Sequence, residues 1–232
     1  MRKLTVDQAL HKANAHSKKG DIEAAQKLYH AVLQAFPKNE KAYQGLAKLK
    51  KVQQSVVRQG PPQEALDRLR ALYELGRLEQ VVELASAITN EYPNAFLVWN
   101  ALGVASKRLG KTQQAFSAFK KVININPNYA DGFNNFGTTL LENGRLGEAI
   151  EAFNTAISLK SDHSGAYFNM GNALKKQGKL EAATNTYQKA ISIKPDYAEA
   201  YNSLGIALKA QGKLSQAVES YTKAILLQPE NA

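Results

Sequence analysis

Residues 96–129 read FLVWNALGVASKRLGKTQQAFSAFKKVININPNY, and residues 130–163, 164–197 and 198–231 follow the same pattern in one frame. A glycine recurs every 34 residues, at Gly76, Gly110, Gly144, Gly178 and Gly212. A proline keeps the same spacing at Pro93, Pro127, Pro195 and Pro229, with Ser161 in its place in one copy. A fixed period of this length predicts a repeat architecture in which each copy packs mainly on its neighbours.

Each copy has the pattern of two amphipathic helices. In the first helix, apolar residues spaced three apart, such as Trp99, Leu102 and Ala105, form a stripe on one face. A Gly-Lys or Gly-Arg pair marks the turn, and the proline ends the second helix because it cannot continue the backbone hydrogen-bond ladder. The sequence therefore predicts an all-α fold with no strands.

The framework of these copies resembles the tetratricopeptide repeat. In residues 96–129 it consists of Trp99, the pair Leu102-Gly103, Ala115, Phe119 and Pro127, in a helix-turn-helix unit of 34 residues. The resemblance covers residues 62–232 and implies a right-handed α/α superhelix, a solenoid that reaches about thirteen helices over the whole chain. The five copies are 62–95, which is degenerate because it lacks the aromatic residue and the Leu-Gly pair, 96–129, 130–163, 164–197 and 198–231.

The N-terminal part of the chain departs from the period. Residues 1–39 contain Gly20, Ala25, Tyr29 and Pro37 in the frame of a divergent first repeat. Gly20 lies 56 residues before Gly76, which is 22 more than one period. We therefore predict that residues 40–61 are an inserted single basic helix, and that Gly60-Pro61-Pro62 ends it in a hinge, since prolines do not fit a helix interior.

The composition excludes several classes of protein. The chain has 232 residues, of which 44% are hydrophobic and 22% charged, and no cysteine, so disulfides, thiolate nucleophiles and cysteine-bound zinc are excluded. No apolar run is long enough for a membrane span or a secretory signal, so we expect a cytoplasmic protein that does not enter a membrane. His11 and His16 are five residues apart, off a common helix face, which disfavours a metal site. We predict no catalytic residue, no metal and no cofactor.

The first helix of each repeat is expected to line the concave side of the solenoid. Asparagine recurs in this helix although it is a mediocre helix former, and its amide can donate to and accept from an extended peptide backbone. One hypothesis is a ladder of amides that holds a peptide; the alternative is that the amides bond neighbouring helices or are only tolerated there. The residues predicted for a peptide-binding surface are Asn100, Lys107, Arg108, Asn134, Asn135, Thr138, Phe168, Asn169, Asn172, Lys175, Asn202 and Lys209.

Two families of repeat proteins offer comparisons for this surface. Asn135 and Asn169 resemble the asparagine ladder in the repeat domain of O-GlcNAc transferases, although Ala101 and Ser203 interrupt the series. The carboxylate clamp of chaperone adaptors requires basic residues at positions where this chain has asparagine or Phe168, so that clamp is incomplete. The basic residues of the concave surface still favour an acidic protein or peptide ligand.

The positive charge is concentrated near the N-terminus. Of the net charge of +10, residues 1–60 contribute +8, from 12 Lys and Arg against 4 Asp and Glu. The basic face comprises Lys12, Lys18, Lys19, Lys48, Lys50, Lys51 and Arg58. It is interpreted as a solvated face, a contact for an acidic protein or catalytic domain, or an adaptor for nucleic acid or an anionic surface; the scarcity of aromatic stacking residues disfavours nucleic acid.

The last repeat has no polar cap after it in the sequence. Val218, Tyr221 and Ile225 are expected to leave apolar surface exposed, which predicts either a longer polypeptide or self-association at this end. The order of divergent repeat, basic helix and regular repeats is similar to N-terminal arms of bacterial multidomain proteins with a sulfotransferase or glycosyltransferase-like domain. That resemblance implies a non-catalytic scaffold that recruits a substrate for a catalytic domain in the same polypeptide.

Overall fold

The structure, a computed structural model, describes residues 5–19, 21–58 and 60–228, and for residues 51–58 it describes the backbone alone. Thirteen helices and no strand lie within these ranges, which confirms the predicted all-α solenoid class. In chain order they are α1 (Val6–Lys18), α2 (Ile22–Ala35), α3 (Glu40–Arg58), α4 (Gln63–Glu74), α5 (Leu78–Glu91), α6 (Phe96–Arg108), α7 (Thr112–Ile125), α8 (Ala130–Glu142), α9 (Leu146–Leu159), α10 (Ser164–Lys176), α11 (Leu180–Ile193), α12 (Ala198–Ala210) and α13 (Leu214–Leu227).

The chain divides into two compact units, Met1–Pro62 and Gln63–Ala232. In the first unit α3 contacts both α1 and α2, and it buries Ala42 and Leu49 beside Tyr29. A Cβ at Gly45 would overlap the Tyr29 ring, so glycine allows the close approach of the two helices. The segment 40–61 was predicted as an inserted single basic helix, and within the described residues that helix packs on α1 and α2 as the first helix of a following repeat would.

The boundary between the units coincides with the predicted break. Helix α3 ends at Arg58 and α4 begins at Gln63, with Gly60 and the two prolines between them. Residue 59 lies outside the described residues, and bending at this point remains a prediction. The turn glycine at position 20, the proline at 229 and the side chains of residues 51–58 are also outside the described set.

The second unit consists of five helix pairs, α4–α5 to α12–α13. In the four pairs from α6–α7 to α12–α13, a glycine of the first helix faces an aromatic ring of the second: a Cβ at Gly137 would lie 2.6 Å from Cε1 of Phe153. The rings of Phe119, Phe153 and Tyr187 are fully buried in this way. Burial of such a side chain contributes roughly 1.5–3 kcal/mol, so these rings are the main apolar anchors of the three pairs that contain them.

The turn between the two helices of a pair is set by its glycine. Gly110 has a φ of +72°, a left-handed conformation that other residues adopt only with strain. Its N–H donates to the carbonyl of Lys107 over 3.0 Å, and the N–H of Lys111 donates to the carbonyl of Ser106 over 2.9 Å. This is the Schellman arrangement, which satisfies the last carbonyls of α6 and reverses the chain.

Helices α8, α10 and α12 pack closely on the repeat before them because the third residue of each of these helices is small. A Cβ at Gly132 would lie 2.8 Å from Cγ1 of Val122 in the preceding repeat. Ala166 and Ala200, which occupy the same position in later copies, are completely buried. The first helix of one repeat therefore rests directly on the second helix of the repeat before it, and the first helices lie beside one another.

Candidate functional site

The first helices of the repeats in the second unit form one continuous surface. Helix α6 contacts α8, α8 contacts α10, and α10 contacts α12. We call the exposed side of α4, α6, α8, α10 and α12 the inner surface. It carries the residues that the sequence assigned to the concave face of the solenoid.

Two pairs of asparagines connect neighbouring helices on the inner surface. Nδ2 of Asn135 donates to Oδ1 of Asn100 over 2.9 Å, and Nδ2 of Asn169 donates to Oδ1 of Asn134 over 2.9 Å. In both pairs, the sixth residue of one repeat donates to the fifth residue of the repeat before it. This is the helix-to-helix bonding that stood as the alternative to a peptide-holding ladder. All four amides are only half-buried, and binding of a peptide by them remains a prediction.

The other predicted asparagines have different surroundings. Oδ1 of Asn172 accepts a hydrogen bond of 2.8 Å from the hydroxyl of Tyr187 in the same repeat. Burial raises the pKa of Tyr187 well above its ordinary value near 10, so the phenol remains protonated and donates. Asn202 is exposed. Between the last two repeats, the sixth position of the later one is Ser203 and the fifth position of the earlier one is Phe168. The series of amide pairs therefore ends at this junction, as the sequence indicated.

Phe168 and Thr138 take part mainly in contacts within the protein. The Phe168 ring is half-buried, with its centroid 5.0 Å from that of Tyr197 and 6.0 Å from that of Tyr187. An apolar ring at this position gains contact with the aromatic side chains beside it, and binding of a ligand by its exposed part stays a prediction. The hydroxyl of Thr138 donates to the backbone carbonyl of Asn135 over 2.8 Å.

An apolar recess lies next to the first amide pair. Its volume is about 430 Å³, and it is bounded by α4 and α6. Asn100 forms one polar side of the recess and Arg70 another, while Leu66, Leu97 and Tyr73 give it an apolar lining. The repeat pattern did not indicate this recess, because the copy that contains α4 lacks the usual framework residues. The available signal was a leucine at the fifth position of repeat 62–95, Leu66, and one at the second position of repeat 96–129, Leu97.

The basic residues of the inner surface differ in their partners. Nζ of Lys107 lies 3.0 Å from Oε1 of Glu142 in the next repeat, so its charge is compensated within the protein. The guanidinium carbon of Arg108 lies 5.0 Å from the centroid of the Tyr73 ring, a cation–π contact. Lys175 and Lys209 have no ion pair with any residue that the structure describes. They are the lysines best able to attract an acidic ligand.

The predicted basic face of the N-terminal unit is partly described. The exposed lysines are Lys12, Lys18, Lys19, Lys48 and Lys50. The side chains of Lys51 and Arg58 lie outside the described residues. Where side chains are described, this unit shows ion pairs only between Lys27 and Glu23 and between His16 and Asp21. The lysines of the basic face that are described therefore point to solvent without a carboxylate partner.

Two further observations concern metals and membranes. In the part of the chain that the structure describes, no three His, Asp or Glu residues gather in a way that could hold a metal ion. None of the helices within those ranges combines the length and the apolar character that crossing a bilayer requires.

Comparisons with known proteins agree with the repeat geometry. Family models described as "TPR repeat" and "Tetratricopeptide repeat" match residues 97–129, 118–151, 137–178, 171–212 and 198–231, which together span more than half of the chain. No curated protein sequence matches the chain.

Several solved structures share the fold at low sequence identity. MamA from Desulfovibrio magneticus RS-1 is 21% identical with a TM-score of 0.65, over 72% of this chain and 94% of that one. TTC0263, a TPR protein of Thermus thermophilus, is 21% identical with a TM-score of 0.61, over 72% and 92%. YrrB, described as a TPR protein with an unusual peptide-binding site, is 20% identical with a TM-score of 0.59, over 78% and 92%. The repeat frame, the helix pairs and the matched models together place the chain in the tetratricopeptide repeat family.

Proposed function

We propose that this protein is an interaction scaffold that binds an extended peptide segment of a partner protein on the inner surface and carries out no chemistry itself. The observation that carries the proposal is the row of half-buried amides, Asn100 with Asn135 and Asn134 with Asn169. Each pair uses one N–H and one oxygen lone pair in its mutual bond. Most of the donors and acceptors of the amides are therefore left for the backbone of a ligand.

The apolar recess beside Asn100 supports a specific form of ligand. A recess of about 430 Å³ lined by Leu66, Leu97 and Tyr73 is large enough to receive an apolar side chain of a peptide. An amide that bonds the peptide backbone, next to a recess that takes a side chain, combines affinity with selectivity. The ligand we propose carries an apolar anchor residue at the end that lies over α4 and α6.

The charges of the inner surface favour acidic residues in the remainder of the ligand. Lys175 and Lys209 lie on α10 and α12, beyond the amide pairs, and neither has an ion-pair partner among the described residues. Carboxylates of a bound peptide would complement them, mainly by accelerating association and selecting the orientation of the peptide. The similarity to YrrB, whose description names a peptide-binding site, agrees with this proposal at the level of the fold.

The test uses a peptide selected from a displayed library on the purified chain and a matched pair of variants. Leu97→Glu places a carboxylate in the recess, and Leu75→Glu makes the same change at a leucine outside it; the two leucines are 60% and 67% exposed. We expect Leu97→Glu to raise the dissociation constant at least about tenfold in calorimetric titrations, and Leu75→Glu to leave it unchanged. Equal binding by both variants would refute the inner surface as the binding site.

A second candidate function, an adaptor for nucleic acid or an anionic surface, rests on the exposed lysines of the N-terminal unit. It predicts binding whose affinity falls steeply as salt rises. The double variant Lys48→Glu with Lys50→Glu should lose this binding, and Leu97→Glu should not change it.

A role as the substrate-recruiting arm of a longer protein and a cytoplasmic location are further parts of the proposal. They would be tested by sequencing the complete gene and by fractionating cells.

A further inference from the structure

The four junctions between neighbouring first helices on the inner surface follow a pattern in two of their positions. These positions are the fifth of one repeat and the sixth of the next, which the hydrogen bond from Asn135 to Asn100 joins. In chain order the pairs are Leu66 with Ala101, Asn100 with Asn135, Asn134 with Asn169, and Phe168 with Ser203. Two amide pairs are therefore preceded and followed by a junction that combines an apolar residue with a small one.

The recess between α4 and α6 follows from the first of these pairs. Leu66 and Ala101 both line it, as does Val104 on the next turn of α6. Ala101 stands where the two amide junctions have asparagine, so it leaves space between the helices, and neither Leu66 nor Ala101 has a side chain that can form a hydrogen bond. An apolar side chain of a ligand suits this surface best, because contact with it removes apolar area from water.

The junction between α10 and α12 repeats this combination inside the array, between two helices that contact each other. The residues at the three positions that bound the first recess are here Phe168, Ser203 and Ile206. The Phe168 ring is half-buried, with its centroid 5.0 Å from that of Tyr197. Since the fifth position lies on the inner surface, the exposed part of this ring offers a ligand a second apolar contact.

The distance between the two apolar junctions sets the spacing of the side chains that they can bind. The junctions lie three repeats apart, and helices in contact have axes about 8–10 Å apart, which gives a distance of about 24–30 Å. An extended peptide advances about 3.3 Å per residue, so about seven to nine residues cover this distance. Successive side chains point to opposite sides, so both can face the protein only at an even separation, which is about eight residues.

We propose that the ligand of the inner surface is an extended peptide with two large apolar residues about eight positions apart, one in the recess between α4 and α6 and one against Phe168. The peptide backbone between them bonds the two amide pairs. This inference rests on peptide binding by the inner surface and specifies which peptides are selected. Amides that bond a backbone do not distinguish side chains, so the two apolar contacts determine the register of the peptide.

The test begins with a displayed library of random linear peptides longer than about 20 residues, selected on the full chain. This length also accommodates a helical ligand, which would need about 16–20 residues to cover the same distance. The selected peptides are sorted by whether Leu97→Glu, the change in the recess, weakens their binding. We expect those that depend on Leu97 to be enriched, relative to the unselected library, in pairs of large apolar residues about eight positions apart.

Variants of one selected peptide test both contacts without any change in the protein. Replacement of either apolar residue by alanine should raise the dissociation constant at least about fivefold in calorimetric titrations. A serine inserted between the two apolar residues turns the second one to the opposite side of the chain and should weaken binding by a similar factor. A serine inserted outside the pair is the matched control and should leave the dissociation constant unchanged.

Two matched changes in the protein assign each apolar residue of the peptide to its junction. Leu66→Asn and Phe168→Asn both introduce the residue that three other repeats have at the fifth position, and melting curves verify that the variants fold. Each should weaken the original peptide at least about threefold, but should have no further effect on the peptide whose corresponding apolar residue is alanine. Leu75→Asn, at an exposed leucine outside the recess, should leave binding unchanged.

Two results would overturn this inference and leave peptide binding by the inner surface intact. One is a set of peptides that depend on Leu97 but show no preferred spacing, or show the spacing of about 16–20 residues that a helix requires. The other is equal binding of the selected peptides by the Phe168→Asn and Leu75→Asn proteins. Peptides whose binding does not change in Leu97→Glu would overturn both this inference and the proposed function. If Phe168→Asn does not fold, the alanine and serine variants of the peptide decide the question.

Discussion

The amide pair of Asn100 and Asn135 should contribute a measurable coupling energy between two repeats. A neutral hydrogen bond contributes about 0.5–1.5 kcal/mol net, and the half exposure of both side chains favours the lower part of that range. Each Asn→Ala change in mid-helix also gains up to about 0.7 kcal/mol in helix propensity. The single variants are therefore expected to be nearly neutral, whereas the double-mutant cycle should give a coupling of about 0.5–1 kcal/mol.

The position of the only tryptophan makes this coupling observable. Trp99 precedes Asn100 in α6, and its indole N–H donates to the carbonyl of Pro93 over 2.9 Å, so its fluorescence reports the unfolding of this repeat. Urea denaturation of the four proteins of the cycle gives the coupling, with the slope compared between variants to detect a loss of two-state behaviour. A second cycle of Asn100 with the distant Asn202 serves as the control and should show no coupling. The same coupling in both cycles would mean that the amide bond does not form in solution.

Three further predictions concern single side chains. Gly171→Ala should lower the free energy of unfolding by about 1–3 kcal/mol, because its Cβ would lie 2.5 Å from Cε1 of the buried Tyr187 ring. Gly147→Ala, which has open space around it, should raise that energy by up to about 1 kcal/mol; urea denaturation measures both. Burial raises the folded-state pKa of Tyr187, so stability should fall as the pH rises above about 10, where the unfolded phenol ionises, and Tyr187→Phe should reduce that loss in melting curves taken against pH. His163→Ala should lower stability by about 0.5–2 kcal/mol, since Nδ1 of this residue accepts the N–H of Ala166 as an N-cap, and His163→Asn should restore part of it when melting temperatures are compared.

The repeat frame could be predicted because its causes are local. A positive φ at Gly110 and the contact of Gly137 with Phe153 each depend on one residue type at a fixed spacing, so periodicity alone located the turns and the helix pairs. The partner of each asparagine could not be predicted in this way. The bond from Asn135 to Asn100 depends on the offset between adjacent repeats, which is set by the packing of small residues such as Gly132 on the helix before it.

Residues that deviate from the pattern have contacts that the repeat period could not predict. Phe168 occupies a position where three other repeats have asparagine, and it was expected on the inner surface by analogy with them. The structure packs it against Tyr197, because an exposed ring gains more from an aromatic neighbour than from water. The recess beside Asn100 could not be predicted from the repeat pattern either. It is formed partly by Leu66 in a repeat whose framework is degenerate, so the pattern gave no reason to consider that helix.

The modest strength of the amide pairs is consistent with a role in binding. A half-buried neutral bond such as that between Asn169 and Asn134 contributes at most about 1.5 kcal/mol, so a ligand that breaks it loses little stability at that junction. Two hydrogen bonds to a peptide backbone would more than replace it, and in a solenoid the effect is confined to neighbouring repeats. A fully buried pair could not act in this way, because leaving one amide unsatisfied would cost more than the ligand returns. Their half exposure allows the same asparagines both to join the repeats and to remain available to a partner.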